Sequence, residues 1–395
     1  MSARWLTLGA LLLSTGCYAR HGATEARDAG VIPDAGCVGD RPICVRPTSP
    51  CGARVVVAPE CDGSSWRCPA DAFEHARASG STAGCSPVTT GLDALGSLGL
   101  AVEDGDRCLW ILDEAAVGDR VVPDPAVVAM DTPFGTCDGA LPFLDDRATR
   151  PVVTRRLPEG WSVSLLDDVV VDGTTWIFHR LYAPDPEELY GYRELGTGAA
   201  PWDPRAHRLL IEDRVVGTID GFTYGDAAIT FEGEAYVFGC RGPVDVLRTE
   251  CRLARAIDPG EPSTWEHWTG GGWSSDPSGA AIVLRAGPER WELAQLPSGE
   301  LVMIFAPGFA NELLVRRAPR PEGPWSREQR LITCDLPAED PEAFCREPQL
   351  HLEKMDPLRP DELVVAYDIG TLDGAARATL PPRAYWPRMV WTSGR

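Results

Sequence analysis

Thr175-Trp176-Ile177-Phe178-His179-Arg180-Leu181 is a short aromatic and aliphatic run that follows the turn pair Asp172-Gly173. Branched and aromatic side chains suit a pleated, half-buried strand, and the turn before it makes it the second arm of a hairpin. Four further stretches have the same character: Cys108-Leu109-Trp110-Ile111-Leu112-Asp113-Glu114, Ala235-Tyr236-Val237-Phe238-Gly239-Cys240-Arg241, Leu301-Val302-Met303-Ile304-Phe305-Ala306-Pro307 and Leu363-Val364-Val365-Ala366-Tyr367-Asp368-Ile369. From Cys108 onward their starts lie 67, 60, 66 and 62 residues apart. That spacing is long for a solenoid repeat and fits a four-stranded propeller blade with generous loops.

The surroundings of each copy repeat as well. Alternating strands ending in turns precede the second and third copies, as Asp168-Val169-Val170-Val171-Asp172-Gly173 and Asp226 to Gly233. Third-strand runs follow at Val127–Met130, Tyr190–Arg193, Cys251–Arg255, Leu313–Arg317 and Arg388–Trp391. Fourth-strand runs stand at Arg208–Ile211, Trp265–Trp268 and Arg327–Ile332. Alternation gives each strand two apolar faces for neighbouring sheets. The 40 glycines, 35 prolines and 13 tryptophans among 395 residues agree with many short strands and turns. The expected fold is all-β: a five-bladed β-propeller over residues 89–395, preceded by a small disulfide-rich segment.

The N-terminus reads as a targeting segment. Arg4 supplies a positive charge, Trp5 to Leu13 form an apolar stretch too short to span a bilayer, and Leu13-Ser14-Thr15-Gly16-Cys17 follows. The last five residues resemble a bacterial lipobox, with Ser14 departing from the usual leucine. The resemblance implies a signal peptide over 1–16, lipidation of Cys17, and an exported lipoprotein anchored in the bacterial cell envelope, at the outer membrane or facing the periplasm. Residues 17–36 are small and polar and read as a flexible tether.

Of the 13 cysteines, 12 remain once Cys17 carries lipid, an even number that can pair fully. Six lie within 37–88, a span poor in apolar residues, as expected of a disulfide-stapled module. Cys61 and Cys68 could bridge a small hairpin there. Short loops join Cys240 to Cys251 and Cys334 to Cys345, so both are expected bridges, with Cys108–Cys137 as a third. No C-x2-C pair occurs and the six histidines are scattered, so no metal site is expected. His179 and His351 read as core histidines, with a central metal ligand as the lesser alternative. No P-loop or dinucleotide fingerprint is present and no cofactor is expected. A net charge of −21 repels phosphate backbones, which argues against nucleic acid as a partner. A monomer is expected.

Leu313-Leu314-Val315-Arg316-Arg317 followed by Gly323-Pro324-Trp325-Ser326 is similar to the strand-loop-strand signature of five-bladed sugar-processing propellers. Glu103-Asp104-Gly105-Asp106-Arg107-Cys108-Leu109-Trp110 resembles the opening blade of bacterial lipoprotein members of that superfamily. The superfamily includes arabinanases, β-xylosidases, invertases and levansucrases. Acid-proline pairs at Asp276-Pro277 and Glu347-Pro348 resemble its acidic motifs, in which one carboxylate is base or nucleophile, another tunes charge and a glutamate is the acid. The resemblance implies Asp168 as base, Asp276 as modulating neighbour and Glu347 as acid. The first blade departs from the pattern, having no acid-proline pair. Glycosidic cleavage needs one protonated and one ionised carboxyl flanking the bond.

Equivalent positions in successive blades converge on one axial funnel, so Asp168, Asp226, Asp276 and Glu347 are expected to share it. Trp265, Trp268 and Trp273, around a Gly270-Gly271-Gly272 run, could bind a sugar face or fill an interblade contact. Two functions are therefore open: a glycan-directed propeller hydrolysing glycosidic bonds, or a non-catalytic propeller holding polysaccharide or a partner protein at the envelope.

Overall fold

The computed structural model describes residues 37–75, 92–128, 152–373 and 388–393, apart from short breaks within them. Strands dominate; the helical elements among the described residues are single 3-10 turns. No described helix is long and apolar enough to cross a membrane. Cys17, the segment before it, and the tether lie outside the described residues, as do Cys85 and Cys137.

Among the described residues, five sheets built on antiparallel hairpins follow one another along the chain, the second also carrying Val153–Arg156 parallel to Arg208–Glu212. In each, a long inner strand pairs with a second strand by a hairpin, and the second pairs with a third. Inner and second strands are Leu100–Asp104 with Arg107–Ile111, Ser162–Val171 with Thr174–Pro184, Phe222–Phe231 with Glu234–Asp245, Trp291–Gln295 with Leu301–Phe305, and Ala343–Leu350 with Glu362–Thr371. The third strands are Ala126–Val128, Tyr192–Asp203, Arg248–Arg255, Glu312–Ala318 and Arg388–Ser393. Fourth strands Arg208–Glu212, Glu266–Trp268 and Gln329–Thr333 complete the second, third and fourth sheets. Hairpin geometry follows from sequence: at Asp172-Gly173 and Glu232-Gly233 both residues have positive φ, the requirement of the tight turn that matches strand twist.

Each inner strand lies against the next, from Leu100–Asp104 through Ala343–Leu350. The core between sheets is built by adjacent residues facing opposite ways. Ile177 joins the apolar cluster shared with the first sheet, and its neighbour Phe178 the cluster shared with the third. Val237 and Phe238 divide in the same way between the second and fourth sheets, and Met303 and Ile304 between the third and fifth. Leu109 faces the second sheet while Trp110 lies in the cluster of the fifth, so the last sheet meets the first and the ring closes. The fold is a β-propeller.

Cys240–Cys251 and Cys334–Cys345 are bonded. Three other bridges hold the segment before the propeller: Cys37–Cys61, Cys44–Cys68 and Cys51–Cys108. Two sequence expectations are thereby corrected. Cys108 pairs with Cys51, not Cys137. Residues 60–61 and 66–67 do form a small hairpin, but Cys61 and Cys68 bond outward rather than to each other. The reason is docking: the segment reaches the seam between first and fifth sheets, where His75 Nε2 lies 3.0 Å from Asp356 Oδ1, and this brings Cys51 to the second strand of the first sheet.

Candidate functional site

Three inner strands break their ladders at corresponding places. Pairing slips between Leu165 and Asp168, between Tyr224 and Ala227, and between Arg346 and Gln349. The residues left out of register are Leu166-Asp167, Gly225-Asp226 and Glu347-Pro348, each pair containing an acid. Bulges re-aim side chains and recur beside functional sites. Glu347 also has φ of 49°, and whereas the other non-glycine residues with positive φ occupy turns, it sits inside a strand. Such backbone strain is held only where surrounding structure imposes it.

The second-sheet bulge carries most of the charge. Asp167 Oδ1 accepts from the Asp168 N–H at 2.8 Å and Oδ2 from the Ala228 N–H at 2.8 Å, tying the second inner strand to the third. Burial nevertheless pushes the Asp167 carboxyl up to about 7. Burial, then the charges of Asp167 and Glu103, raise Asp168 well above the usual carboxylate range. Glu292, on the inner strand of the fourth sheet, is raised well above it too, by burial and then by Asp167, Asp168 and Glu353. Carboxyls from the first, second, fourth and fifth sheets thus bear on one another. Glu353 is held below its ordinary value: burial opposes ionisation, but His351 and Lys354 outweigh it. The third sheet contributes Asp226, which is ion-paired with Arg180 from the second, and Arg180 also lies 3.6 Å from Glu194.

Like charges crowded in a buried space cannot all ionise, so the group retains a proton near neutral pH. A proton donor beside an ionised base is the equipment of general acid-base chemistry.

The residues expected from sequence separate into two sets. Asp168 lies in the carboxyl group itself, Asp226 beside it on Arg180, and Glu347 in the matching bulge of the fifth inner strand, which lies against the strand bearing Glu292. Asp276 is elsewhere. It is exposed and caps a 3-10 turn through Ser278 N at 3.0 Å, because the fourth inner strand begins at Trp291 rather than just after residue 276. Trp265 is 1 % exposed and packs edge-on to Phe178 and Tyr224, which makes it interblade core. Trp268 and Trp273, with ring centroids 5.3 Å apart, are half-buried and cover the cluster between third and fourth sheets. Sequence reasoning missed Glu292 and Glu103. Glu292 stands seven residues before the turn glycine Gly299, the count that also separates Asp226 from Gly233, so counting back from the turn would have found it; Glu103, two residues before Gly105, does not share that count. Among the described residues no set of three or more His, Cys, Asp or Glu side chains is arranged to hold a metal ion.

Residues 166–385, more than half of the chain, match the family model described as Domain of unknown function (DUF5005). The chain belongs to this family. The family match begins at Leu166, so it covers the second to fourth inner strands and the fifth, with every raised carboxyl named above. No match was found among curated proteins. Among solved structures, this DUF5005 member is similar to a candidate hydrolase from Bacteroides ovatus, with 15% identity over 78% of this chain and 86% of the other and a TM-score of 0.53. It is also similar to a xylose-bound GH43_1 enzyme of Xanthomonas citri (12% identity, 79% and 90% covered, TM-score 0.45) and to an α-L-arabinofuranosidase of Podospora anserina (11%, 78% and 94%, 0.43). At these identities the likeness is one of fold.

Proposed function

We propose that this DUF5005 protein is an exported, envelope-anchored propeller of five blades that hydrolyses glycosidic bonds in a glycan. One observation carries the reading: acids on inner strands of different sheets, Asp167 and Asp168 of the second and Glu292 of the fourth, are buried together, and the charges of the first two oppose ionisation of Glu292. Glycoside hydrolysis needs such a pair, one carboxyl protonated and one ionised. Glu292 serves as the proton donor, since three acidic neighbours oppose its ionisation. Asp168 is the general base, Asp226 with Arg180 sets the local charge, and Glu347 contributes from its strained bulge. The fold likeness to glycoside hydrolases supports the substrate class, and the five disulfides support export to an oxidising compartment. Anchoring rests on Cys17 and the lipobox-like residues before it.

The test is release of reducing ends from a panel of purified polysaccharides by the wild type, Glu292→Gln and Asp168→Asn. Turnover in the wild type that either substitution abolishes supports the reading. Glycan binding without turnover would leave the non-catalytic propeller in its place.

A further inference from the structure

The loop of residues 306–311 joins the second and third strands of the fourth sheet. Phe305, just before it, pairs with Trp291, the neighbour of Glu292, so the loop leaves the sheet at the end where Glu292 lies. Two backbone bonds fix its far side to the fifth sheet's entry: Cys345 N–H donates to Ala310 O at 3.0 Å and Cys334 N–H to Asn311 O at 2.8 Å. The Cys334–Cys345 bridge staples the two donors together. At the loop's tip Phe309 is 60% exposed, yet its ring is held edge-on to Phe344, with centroids 4.9 Å apart and planes at 78°. Phe344 in turn lies over Gly370, where a Cβ would come within 2.6 Å of its ring. Phe344 is three residues before Glu347 on the same strand, on the order of 10 Å along it. A phenyl ring fixed in place and left facing water, beside the strand ends that carry the acids, is unexplained by core formation.

We propose that Phe309, buttressed by Phe344, is a stacking platform for a neutral pyranose residue of the glycan chain, at a subsite next to the carboxyl group. A chair pyranose presents a flat C–H face, and aromatic faces carry the negative quadrupole that attracts it. The net charge of −21, with carboxyls concentrated at the adjoining site, disfavours uronic or sulfated sugars. The platform rests on the glycan reading above and adds to it the sugar class and the residues that receive it.

Affinity electrophoresis and calorimetry with soluble β-glucan, xylan, galactan and polygalacturonate test it, in a Glu292→Gln background so that binding is read without turnover. Phe309→Ala is expected to weaken binding of the neutral glycan about tenfold, and Phe309→Trp to restore it. With Glu292 intact, Phe309→Ala should raise KM and leave kcat within about twofold. Unchanged affinity in Phe309→Ala overturns the platform while the hydrolase reading stands. Polygalacturonate bound as tightly as neutral glycans overturns the sugar class. A wild type that neither binds nor cleaves any of the four removes the glycan reading itself, and the platform with it.

Discussion

The indole N–H of Trp110 donates to Glu353 Oε1 at 3.2 Å, joining the first sheet to the turn that follows the inner strand of the fifth. His351 shares this acceptor, with its Nδ1 3.0 Å from the same oxygen, and its ring packs tilted against Trp110, with centroids 4.4 Å apart and planes at 50°. The ring of sheets therefore closes through a buried polar contact, and its carboxylate is one of the charges that oppose ionisation of Glu292.

Trp110→Phe keeps most of the apolar contact and removes the donor. With His351 still on Glu353 the acceptor keeps a partner, so the loss should be about 0.5–1.5 kcal/mol, the net range for one hydrogen bond. Trp110→Ala adds a cavity and should cost about 3–5 kcal/mol. Urea unfolding measures both. Equal stability of Trp110→Phe and wild type would mean that the contact contributes nothing to closure.

The blades were legible because their second strands are the most apolar segments, and a period near 60 residues survives all loop variation. Three of the five second-strand runs read from sequence lie within observed strands; the run from Cys108 extends past Ile111 and the run from Leu301 past Phe305, the last residues of their strands. The acids were harder. The strand expected to open at Asp168 begins at Ser162, so Asp167 and Asp168 sit in its middle at a bulge, and no local signal separates the two acids. Asp276 misled because Asp-Pro marks turns as often as sites. The disulfide between Cys51 and Cys108 depends on how two segments dock, which sequence spacing does not encode.

Peptide mapping under non-reducing conditions should recover Cys51 with Cys108. If Cys17 is acylated, Cys85 and Cys137 are the only thiols left over from the five described bridges and should be recovered together. Finding Cys17 in a disulfide would end the lipoprotein reading. Fatty-acid labelling checks the same point independently, as Cys17→Ala should lose the label.

Two buried groups should act on stability in opposite senses over the same acidic range. His179 is 2 % exposed, and burial pulls its pKa down to about 4 from the ordinary 6.5. The unfolded chain then binds a proton that the folded one refuses, so stability is lost as pH falls from about 6.5 to about 4, by roughly 3 kcal/mol. Asp167 acts in the opposite sense: its raised carboxyl keeps a proton in the folded state, and stability is lost as pH rises from the usual carboxylate range towards 7. Over the shared window the two slopes cancel, so denaturation series should be nearly flat from about pH 4 to 6.5 in the wild type and should fall with rising pH in His179→Phe, where the Asp167 slope stands alone. An unchanged profile in that variant would assign the pH dependence to other groups.

The carboxyl group makes the sharpest claim about chemistry. Asp168 and Glu292 are both raised by burial first and by their acidic neighbours second, so removing one negative charge must ease ionisation of the other. In a hydrolase, the basic limb of the kcat/KM profile reports loss of the proton held by Glu292. Asp167→Asn removes one of the charges opposing that loss without touching the donor, and should shift the basic limb to lower pH. Glu292→Gln should abolish the limb together with turnover, by about a hundredfold or more. An aryl glycoside whose leaving group needs no protonation should be cleaved by Glu292→Gln far better than a natural glycan, because only the donor is missing. If aryl and natural substrates lose rate equally, Glu292 is not the acid, and Glu347 in its neighbouring bulge becomes the residue to substitute next.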